Sequence, residues 1–525
     1  MIALNGHTLS ISEVWRTACL KSPCALADEA RPLIRRSRQW VESLAAQPRA
    51  IYGINTGFGP LSGFRIAAEE LAQHQLNLLH HLTVGQGPLF SAAETRAIML
   101  ARANALARGF SGIREELIDL LLAALNGGLL PEIPIEGSVG ASGDLVPLAH
   151  MANLLVGLGH ARLDGQRLPA TDALRRVGLA PAVLQCKEGL ALVNGTSVMT
   201  ALAALSCHEA ERLLHWMELL TACLFQALDG EPEALCGQAH NARGFRGQSL
   251  VARRISDSLR THPDFARRID EHQWGSHPKP VDPGAEVQDP YSLRCAPQIL
   301  GAFQEAHWHV EQVVTRELNA STDNPLVFPD TGMVIHCGNF YGQQVAMVSD
   351  YLRIGLIKMA LLADRQLERL LNWRVSRGLP PMLAGGAPGL NSGLSGAQLL
   401  ATSLAAEARL LATPASVQTI PTNANNQDVV SMGCTAAKMT RTMLPLLWKL
   451  AAIEAIALAQ AADLRRPKEV MGGDYQHLYD VVRSVSPALE ADRPLAEDIQ
   501  RVTALLQSEP AQQQCLRPRG DADAD

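Results

Sequence analysis

The chain has 525 residues, of which 47% are hydrophobic and only 19% are charged. This balance is typical of a globular protein with much buried surface, and it excludes disorder as a description of the whole chain. The 46 basic and 52 acidic residues give a net charge of −6. The protein therefore lacks the strong positive field that binding to nucleic acid or to an anionic membrane requires.

Cysteine usage and the N-terminal residues predict a cytoplasmic protein. Ten cysteines are scattered along the chain without a CxxC pair, which is typical of reduced, mostly buried thiols. The first residues lack the basic and apolar regions of a signal peptide. No apolar run is expected to reach the length of a membrane span, because runs such as 213–229 are interrupted by polar side chains.

Helical periodicity dominates the chain. Short strands are predicted in the first ten residues, near 161–170 and over 334–337. Apolar residues repeat at intervals of three and four, which predicts helices over 69–81, 91–109, 115–126, 145–156, 197–229, 297–318, 341–374, 394–412, 428–463 and 486–507. The predicted fold class is mainly α, a long-helix bundle with a smaller loop-rich N-terminal region that carries the active-site loops.

Glycine- and proline-rich segments separate the predicted helices, and such loops are where binding chemistry concentrates. They occupy residues 53–63, 127–143, 276–290, 378–393 and 420–426. A domain boundary is expected near residue 200. Residues 1–200 would form the N-terminal region, residues 201–516 the central and C-terminal helical bundle, and residues 517–525 a disordered tail.

The segment Ala141-Ser142-Gly143-Asp144 stands directly before a predicted helix. Its ordinary interpretation is a loop in which Ser142 or Asp144 caps that helix. A second chemistry is possible, because glycine leaves the backbone free enough for the Gly143 nitrogen to approach the Ala141 carbonyl carbon. Loss of water from the ring and from Ser142 would leave an electrophilic methylene, the 4-methylideneimidazol-5-one (MIO) group. The positive end of the following helix would raise its electron demand.

Spaced motifs resemble the aromatic amino acid ammonia-lyase family, whose members make this electrophile from their own backbone. The segment GSVGASGDLVPLAH resembles the family signature. Further matches, in chain order, are Tyr52–Gly59, Val193–Thr196, Gln288–Cys295, Thr322–Pro325, Gly338–Phe340 and Asn426–Asp428. The resemblance implies the ammonia-lyase fold, carbon–nitrogen lyase activity, and an MIO group formed from Ala141, Ser142 and Gly143. It implies no metal or diffusible cofactor.

The resemblance also implies residue roles that agree with the chemistry of removing ammonia from an α-amino acid. The β-proton is not acidic, so a positioned base must take it. An electrophile that captures the amino group would make nitrogen a better leaving group, and attack on the aromatic ring instead of the amine stays open. Tyr52 would be the base, as a phenolate, and Arg294 would bind the substrate carboxylate with its planar fork. Tyr291 and Asn194 would orient the electrophile or the amine. Further substrate-binding residues would be Gln288, Asn324, Phe340, Asn426 and Gln427.

Two pocket positions favour tyrosine as the substrate. Family members that act on tyrosine resemble His81-Leu82, whereas those acting on phenylalanine carry an apolar aromatic residue at 81 and those acting on histidine resemble Ser-His. A buried substrate hydroxyl needs a polar partner, which His81 would supply. Gln427 stands where histidine-specific relatives place a glutamate. Alternatively, His81 simply ends a helix, where a histidine ring is favourable.

The expected function is therefore that of a tyrosine ammonia-lyase, which releases ammonia and the phenylpropanoid p-coumarate. A tyrosine 2,3-aminomutase, which returns ammonia at the β-carbon, stays open, because no motif separates the two reactions. A phenylalanine or histidine ammonia-lyase also stays open, as does a non-catalytic helical scaffold protein. The resemblance further implies a homotetramer whose active sites are shared between subunits.

Overall fold

The computed structural model describes residues 1–271, 288–465 and 471–516, and these residues are mostly helical. The predicted mainly α fold class is therefore confirmed. The tail predicted at 517–525 lies outside the described residues, as does most of the loop predicted at 276–290.

Close packing divides the chain into two units, each built from several segments. The first contains Met1–His208, His309–Tyr351 and Pro414–Arg441. The second contains Glu209–Trp308, Leu352–Thr413 and the described residues from Thr442 onwards. The boundary predicted near residue 200 stays a prediction about domains.

The first unit combines helices with short strand pairs. Its helices are Ile11–Leu20, Arg31–Ala45, Leu71–Leu82, Ala92–Ala107, Glu115–Asn126, Leu145–Leu155, Ala170–Arg176 and Glu188–Val193. Ile2–Leu4 pairs in parallel with Cys24–Leu26. The antiparallel pairs are Gln86–Leu89 with Pro134–Glu136, His160–Leu163 with Leu130–Pro131 and with Gln166–Pro169, and Leu326–Phe328 with Met333–Ile335.

The second unit is helical in the part of it that the structure describes. Its helices are Gly237–Arg243, Arg246–Leu259, Pro263–Asp270, Tyr291–Arg294, Ser395–Leu410, Gly473–Arg483, Ala496–Leu506 and Glu509–Cys515. The longest helices each contain a boundary between two segments, and they are Ser197–Ala227, Ala296–Leu318, Gln343–Leu371 and Gly433–Leu464.

Some predicted helix ends were wrong. The helix predicted over 486–507 is helical only over Ala496–Leu506. Its first part contains Pro487 and Pro494, and a proline lacks the N–H that a helix interior needs. The helix predicted to begin at residue 428 begins at Gly433. An unpredicted helix, Ile11–Leu20, begins at a capping box formed by Ser10 and Glu13.

The expectation that no apolar run reaches the length of a membrane span was also wrong. The helix Gly433–Leu464 is long and apolar enough to cross a membrane by length and composition alone. In the protein, 78% of its most apolar stretch is buried. The mostly buried core helix of a protein passes the same test of length and composition.

Candidate active site

In the turn Ala141-Ser142-Gly143, the backbones of residues 141 and 143 lie close together and form an isolated β-bridge. Gly143 adopts a φ of +67°, in the left-handed region, and it forms a second bridge with Gly195. A Cβ atom on Gly143 would lie 2.1 Å from the Gly195 carbonyl oxygen, so only glycine fits. This tight turn is therefore compatible with the MIO group, which requires a bond between residues 141 and 143.

The Asp144 side chain caps a different helix from the one that follows it in sequence. Its side chain makes no cap bond to the helix Leu145–Leu155, which corrects the predicted cap. Instead, Oδ2 accepts from the backbone N–H groups of Val198 (3.0 Å) and Met199 (2.8 Å), at the start of the helix Ser197–Ala227. Burial raises the pKa of Asp144 to about 6, although these two hydrogen bonds lower it. Two helices therefore begin near the turn, and the N-terminal end of a helix carries a partial positive charge.

Ser142 is connected to a chain of buried polar groups. Its hydroxyl donates to Asn194 Oδ1 at 2.7 Å. Asn194 Nδ2 in turn donates to Asp323 Oδ1 at 3.0 Å and to the Asn324 carbonyl oxygen at 3.1 Å. Asp323 Oδ2 pairs with Lys187 Nζ at 2.5 Å, and both side chains are almost completely buried. The structure thus joins the predicted residues Ser142, Asn194 and Asn324 in one network.

Tyr52 lies in the same unit, in a glycine-rich loop. Its hydroxyl accepts from the Gly59 N–H at 3.4 Å, and its ring meets the His336 ring edge-on, with the centroids 6.1 Å apart. Burial raises the pKa of the Tyr52 phenol above its ordinary value, and the charge of Asp323 raises it further, although the Gly59 hydrogen bond lowers it. Tyr52 thus becomes a phenolate less readily than an exposed tyrosine.

His81 and Leu82 are the last residues of the helix Leu71–Leu82. Gln75 fixes this helix against the helix that leads to Asn194, because its Oε1 accepts from the Leu190 N–H at 3.1 Å. His81 is exposed, and its Nδ1 lies 3.1 Å from the Asn77 carbonyl oxygen. Because a carbonyl only accepts, Nδ1 carries the proton, and in the neutral ring Nε2 is left as an acceptor.

The loop with Asn426 and Gln427 is attached to the electrophile-forming turn. Asn426 is exposed and Gln427 half-buried, and the Gln427 carbonyl accepts from the Thr422 N–H at 3.0 Å. Just after this loop, the Ser431 hydroxyl donates to the Gly140 carbonyl oxygen at 3.1 Å. This hydrogen bond connects the residues just after the loop to the residue just before the Ala141–Gly143 turn. Phe340, also in the first unit, is half-buried.

Gln288, Tyr291 and Arg294 belong to the second unit. Gln288 is exposed, Tyr291 is 68% exposed, and the Arg294 guanidinium stacks 4.7 Å from the Tyr291 ring centroid. Asp289 anchors this segment, because its carboxylate accepts from the Glu231 N–H and from Arg377, each at 2.6 Å. The fork of Arg294 is thus carried on a firmly attached segment.

Sequence reasoning missed the buried charges of the first unit. Lys187 and Arg102 are buried cations, and Asp144 and Asp323 are buried carboxylates. Arg102 donates to the Ala191 carbonyl, and burial lowers its pKa to about 10, although Asp323 and Asp144 raise it. Asp323 lies inside the motif Thr322–Pro325, but Lys187 has no sequence signal beyond its place near Asn194.

Replacing Gly143 with alanine should prevent formation of the electrophile. The new Cβ would collide with Gly195 in a backbone conformation that alanine disfavours. We expect the purified G143A variant to keep the full mass of its sequence and to be inactive. Gly128→Ala is the matched control, because Gly128 has a φ of +71° but open space around it. Loss of water from G143A to the same extent as from G128A would contradict the steric argument.

Comparisons with known proteins agree with the resemblance found in the sequence. The profile of the family described as aromatic amino acid lyase matches residues 9–484. Histidine ammonia-lyase from Geobacillus thermodenitrificans is 43% identical over 519 residues, which are 99% of this chain and 99% of that protein. Histidine ammonia-lyase from Bacillus subtilis is 40% identical over 513 residues, which cover 97% of each chain.

Solved structures share the fold over nearly the whole chain. Tyrosine aminomutase from Streptomyces globisporus superimposes with a TM-score of 0.92 at 35% identity and covers 99% of both chains. Histidine ammonia-lyase from Trypanosoma cruzi gives a TM-score of 0.88 at 33% identity and covers 98% of this chain and 94% of that one. These matches confirm the predicted ammonia-lyase fold, the carbon–nitrogen lyase class and the dependence on MIO. This chain is therefore a member of the aromatic amino acid lyase family.

Proposed function

We propose that this protein is a tyrosine ammonia-lyase, which eliminates ammonia from L-tyrosine to give p-coumarate. The observation that carries the proposal is the hydrogen bond that His81 makes within its own helix. Its Nδ1 is used by the Asn77 carbonyl, so Nε2 is free to accept a hydrogen bond from a phenolic hydroxyl. A phenylalanine side chain offers no such donor, and a site built for a hydroxyl discriminates against the analogue that lacks it.

The proposed mechanism divides the work between named residues. The MIO group would supply the electrophile that captures the substrate amino group. Tyr52 would accept the β-proton on its phenolate oxygen, and Arg294 would bind the substrate carboxylate through two parallel hydrogen bonds. Asn194 would hold its amide in a fixed orientation beside the turn, with Tyr291 also orienting the reacting groups. Gln288, Asn324, Phe340, Asn426 and Gln427 would complete the substrate pocket, with Leu82 next to His81.

Histidine is the second candidate substrate. The relatives that are 43% and 40% identical are named histidine ammonia-lyase, and an imidazole N–H could also donate to His81. Against histidine stand Leu82 and the neutral Gln427, because the resemblance associates that substrate with a histidine and a glutamate at these positions. An aminomutase is a further alternative, since tyrosine aminomutase shares the fold over 99% of the chain.

We also propose that the protein is a cytoplasmic homotetramer with shared active sites. On the helix Gln343–Leu371, Met347, Tyr351 and Ile354 are 59%, 45% and 47% exposed, at a spacing that places them on one face. Contiguous exposed apolar side chains are typical of surfaces that pack against another protein. The low content of charged residues, 19%, agrees with extensive burial between subunits.

The product formed from each amino acid tests the substrate. We expect the purified protein to release ammonia and p-coumarate from L-tyrosine, with a kcat/KM above those for phenylalanine and histidine. Ser142→Ala is the control for contaminating activity, since it cannot form the exocyclic methylene. Urocanate from histidine as the faster product would overturn the proposed substrate, and β-tyrosine as the main product would assign the aminomutase reaction.

The pH dependence of the rate tests the role of Tyr52. A base acts in its deprotonated form, and the pKa of this phenol is raised. We therefore expect kcat/KM to rise with pH into the alkaline range. Tyr52→Phe should lower kcat by about 100-fold or more. Tyr475→Phe removes another buried tyrosine hydroxyl, which donates to the Leu458 carbonyl at 2.7 Å, and should leave the pH profile unchanged. A profile that falls at alkaline pH would argue against Tyr52 as the base.

Substitution of His81 tests the selectivity determinant. His81→Phe removes the acceptor for a phenolic hydroxyl, so we expect the ratio of kcat/KM for tyrosine over phenylalanine to fall by about 10-fold or more. His80→Phe is the matched control, because His80 is its exposed neighbour on the same helix. Equal ratios in the H81F and wild-type proteins would remove His81 from its proposed role.

A further inference from the structure

A buried ion pair is hydrogen-bonded to Asn194, and the proposed mechanism does not use it. Lys187 Nζ and Asp323 Oδ2 are 2.5 Å apart, and the two side chains are 0% and 1% exposed. Such a pair is weak evidence for stability, because removing two charges from water has a large desolvation penalty. Its position in the hydrogen-bond network indicates a role in specifying one orientation of the groups that it contacts.

The pair determines which end of the Asn194 amide faces Ser142. Lys187 can only donate, so the Asp323 carboxylate accepts from it and also accepts from Asn194 Nδ2 on its other oxygen. The second acceptor of Asn194 Nδ2, the Asn324 carbonyl, cannot donate either. A flipped amide would place Asn194 Oδ1 against two acceptors. The NH₂ group therefore faces Asp323, and Oδ1 faces the Ser142 hydroxyl.

We infer that Lys187 and Asp323 are positioning residues for the formation of the electrophile. Dehydration of Ser142 removes its Cα hydrogen and its Cβ hydroxyl as one water, while the electron pair of the Cα–H bond forms the new double bond. The rate of this elimination depends on the orientation of the C–O bond relative to the C–H bond. Asn194 Oδ1 holds the hydroxyl in one rotamer, and the ion pair holds Asn194. This inference rests on the proposed function, since it concerns the same electrophile.

The isosteric substitution Asp323→Asn tests whether the ion pair sets the orientation of the Asn194 amide. The charge of Lys187 favours an arrangement in which the carbonyl oxygen of the introduced amide faces Nζ, which turns its NH₂ group towards the NH₂ group of Asn194. Asn194 must then flip and lose its acceptor contact with Ser142. We expect D323N to retain a fraction of protein with the full mass of its sequence, and kcat to fall about 10- to 100-fold with little change in KM.

A second substitution distinguishes positioning from a merely structural role. Adding Lys187→Met to D323N removes the cation, so the oxygen of the introduced amide can turn back towards Asn194 and restore its orientation. We expect the double variant to be more completely dehydrated than D323N and to regain part of kcat. An unpaired, buried Lys187 also destabilises the fold, so dehydration and kcat are compared in the folded fraction of each variant, measured by circular dichroism. A merely structural role predicts that all folded protein is dehydrated in both variants. Complete dehydration of folded D323N, or a folded double variant no better dehydrated than folded D323N, overturns the inference.

The neighbouring ion pair supplies the matched control. Glu188 Oε1 lies 2.6 Å from Arg114 Nε and is completely buried, and its carboxylate also accepts from the Gln185 N–H, but none of these hydrogen bonds involves Asn194. Glu188→Gln applies the same carboxylate-to-amide change and should leave dehydration and kcat unaltered. Full dehydration with wild-type kcat in D323N would also contradict the inference. Because the mass of the protein is read without substrate, the result stands even if tyrosine is not the substrate.

Discussion

The active site depends on one backbone constraint, the turn that presses residue 141 against residue 143. Gly143 can make this turn because it has no side chain to collide with Gly195. Gly195 lies two residues before the long helix Ser197–Ala227. The resulting closeness is what an internal cyclisation needs, since a reaction between two groups held together avoids the entropy loss of bringing them together. The turn is a product of packing in the first unit, and not of the local sequence alone.

Buried charge surrounds this turn in a balanced arrangement. Asp144 satisfies the N–H groups at the start of one helix, while Asp323 is matched by Lys187. Charges removed from water need such partners, and groups fixed in this way do not have to reorganise during a reaction. Tyr52 is the exception, because the environment that the chain provides raises the pKa of its phenol and does not lower it.

The sequence predicts much of this structure, and the exceptions have physical reasons. Helical periodicity located the predicted helices because burial of an apolar face is a local pattern, although Pro487 and Pro494 shortened one of them. It missed others, such as Ile11–Leu20 and Arg246–Leu259. The Ala141–Gly143 turn was found because glycine and small residues are required there. The second helix held by Asp144 and the partner of Lys187 could not be predicted, because these contacts join residues 54 and 136 positions apart.

The central claim is that the Ala141–Gly143 turn becomes a cyclic electrophile without any added cofactor. The most direct measurement is the mass of the proteolytic peptide that contains these three residues, isolated from freshly purified and active protein. We expect a peptide lighter than its sequence by two water molecules. A peptide with its full, unmodified mass, recovered quantitatively from active protein, would contradict it.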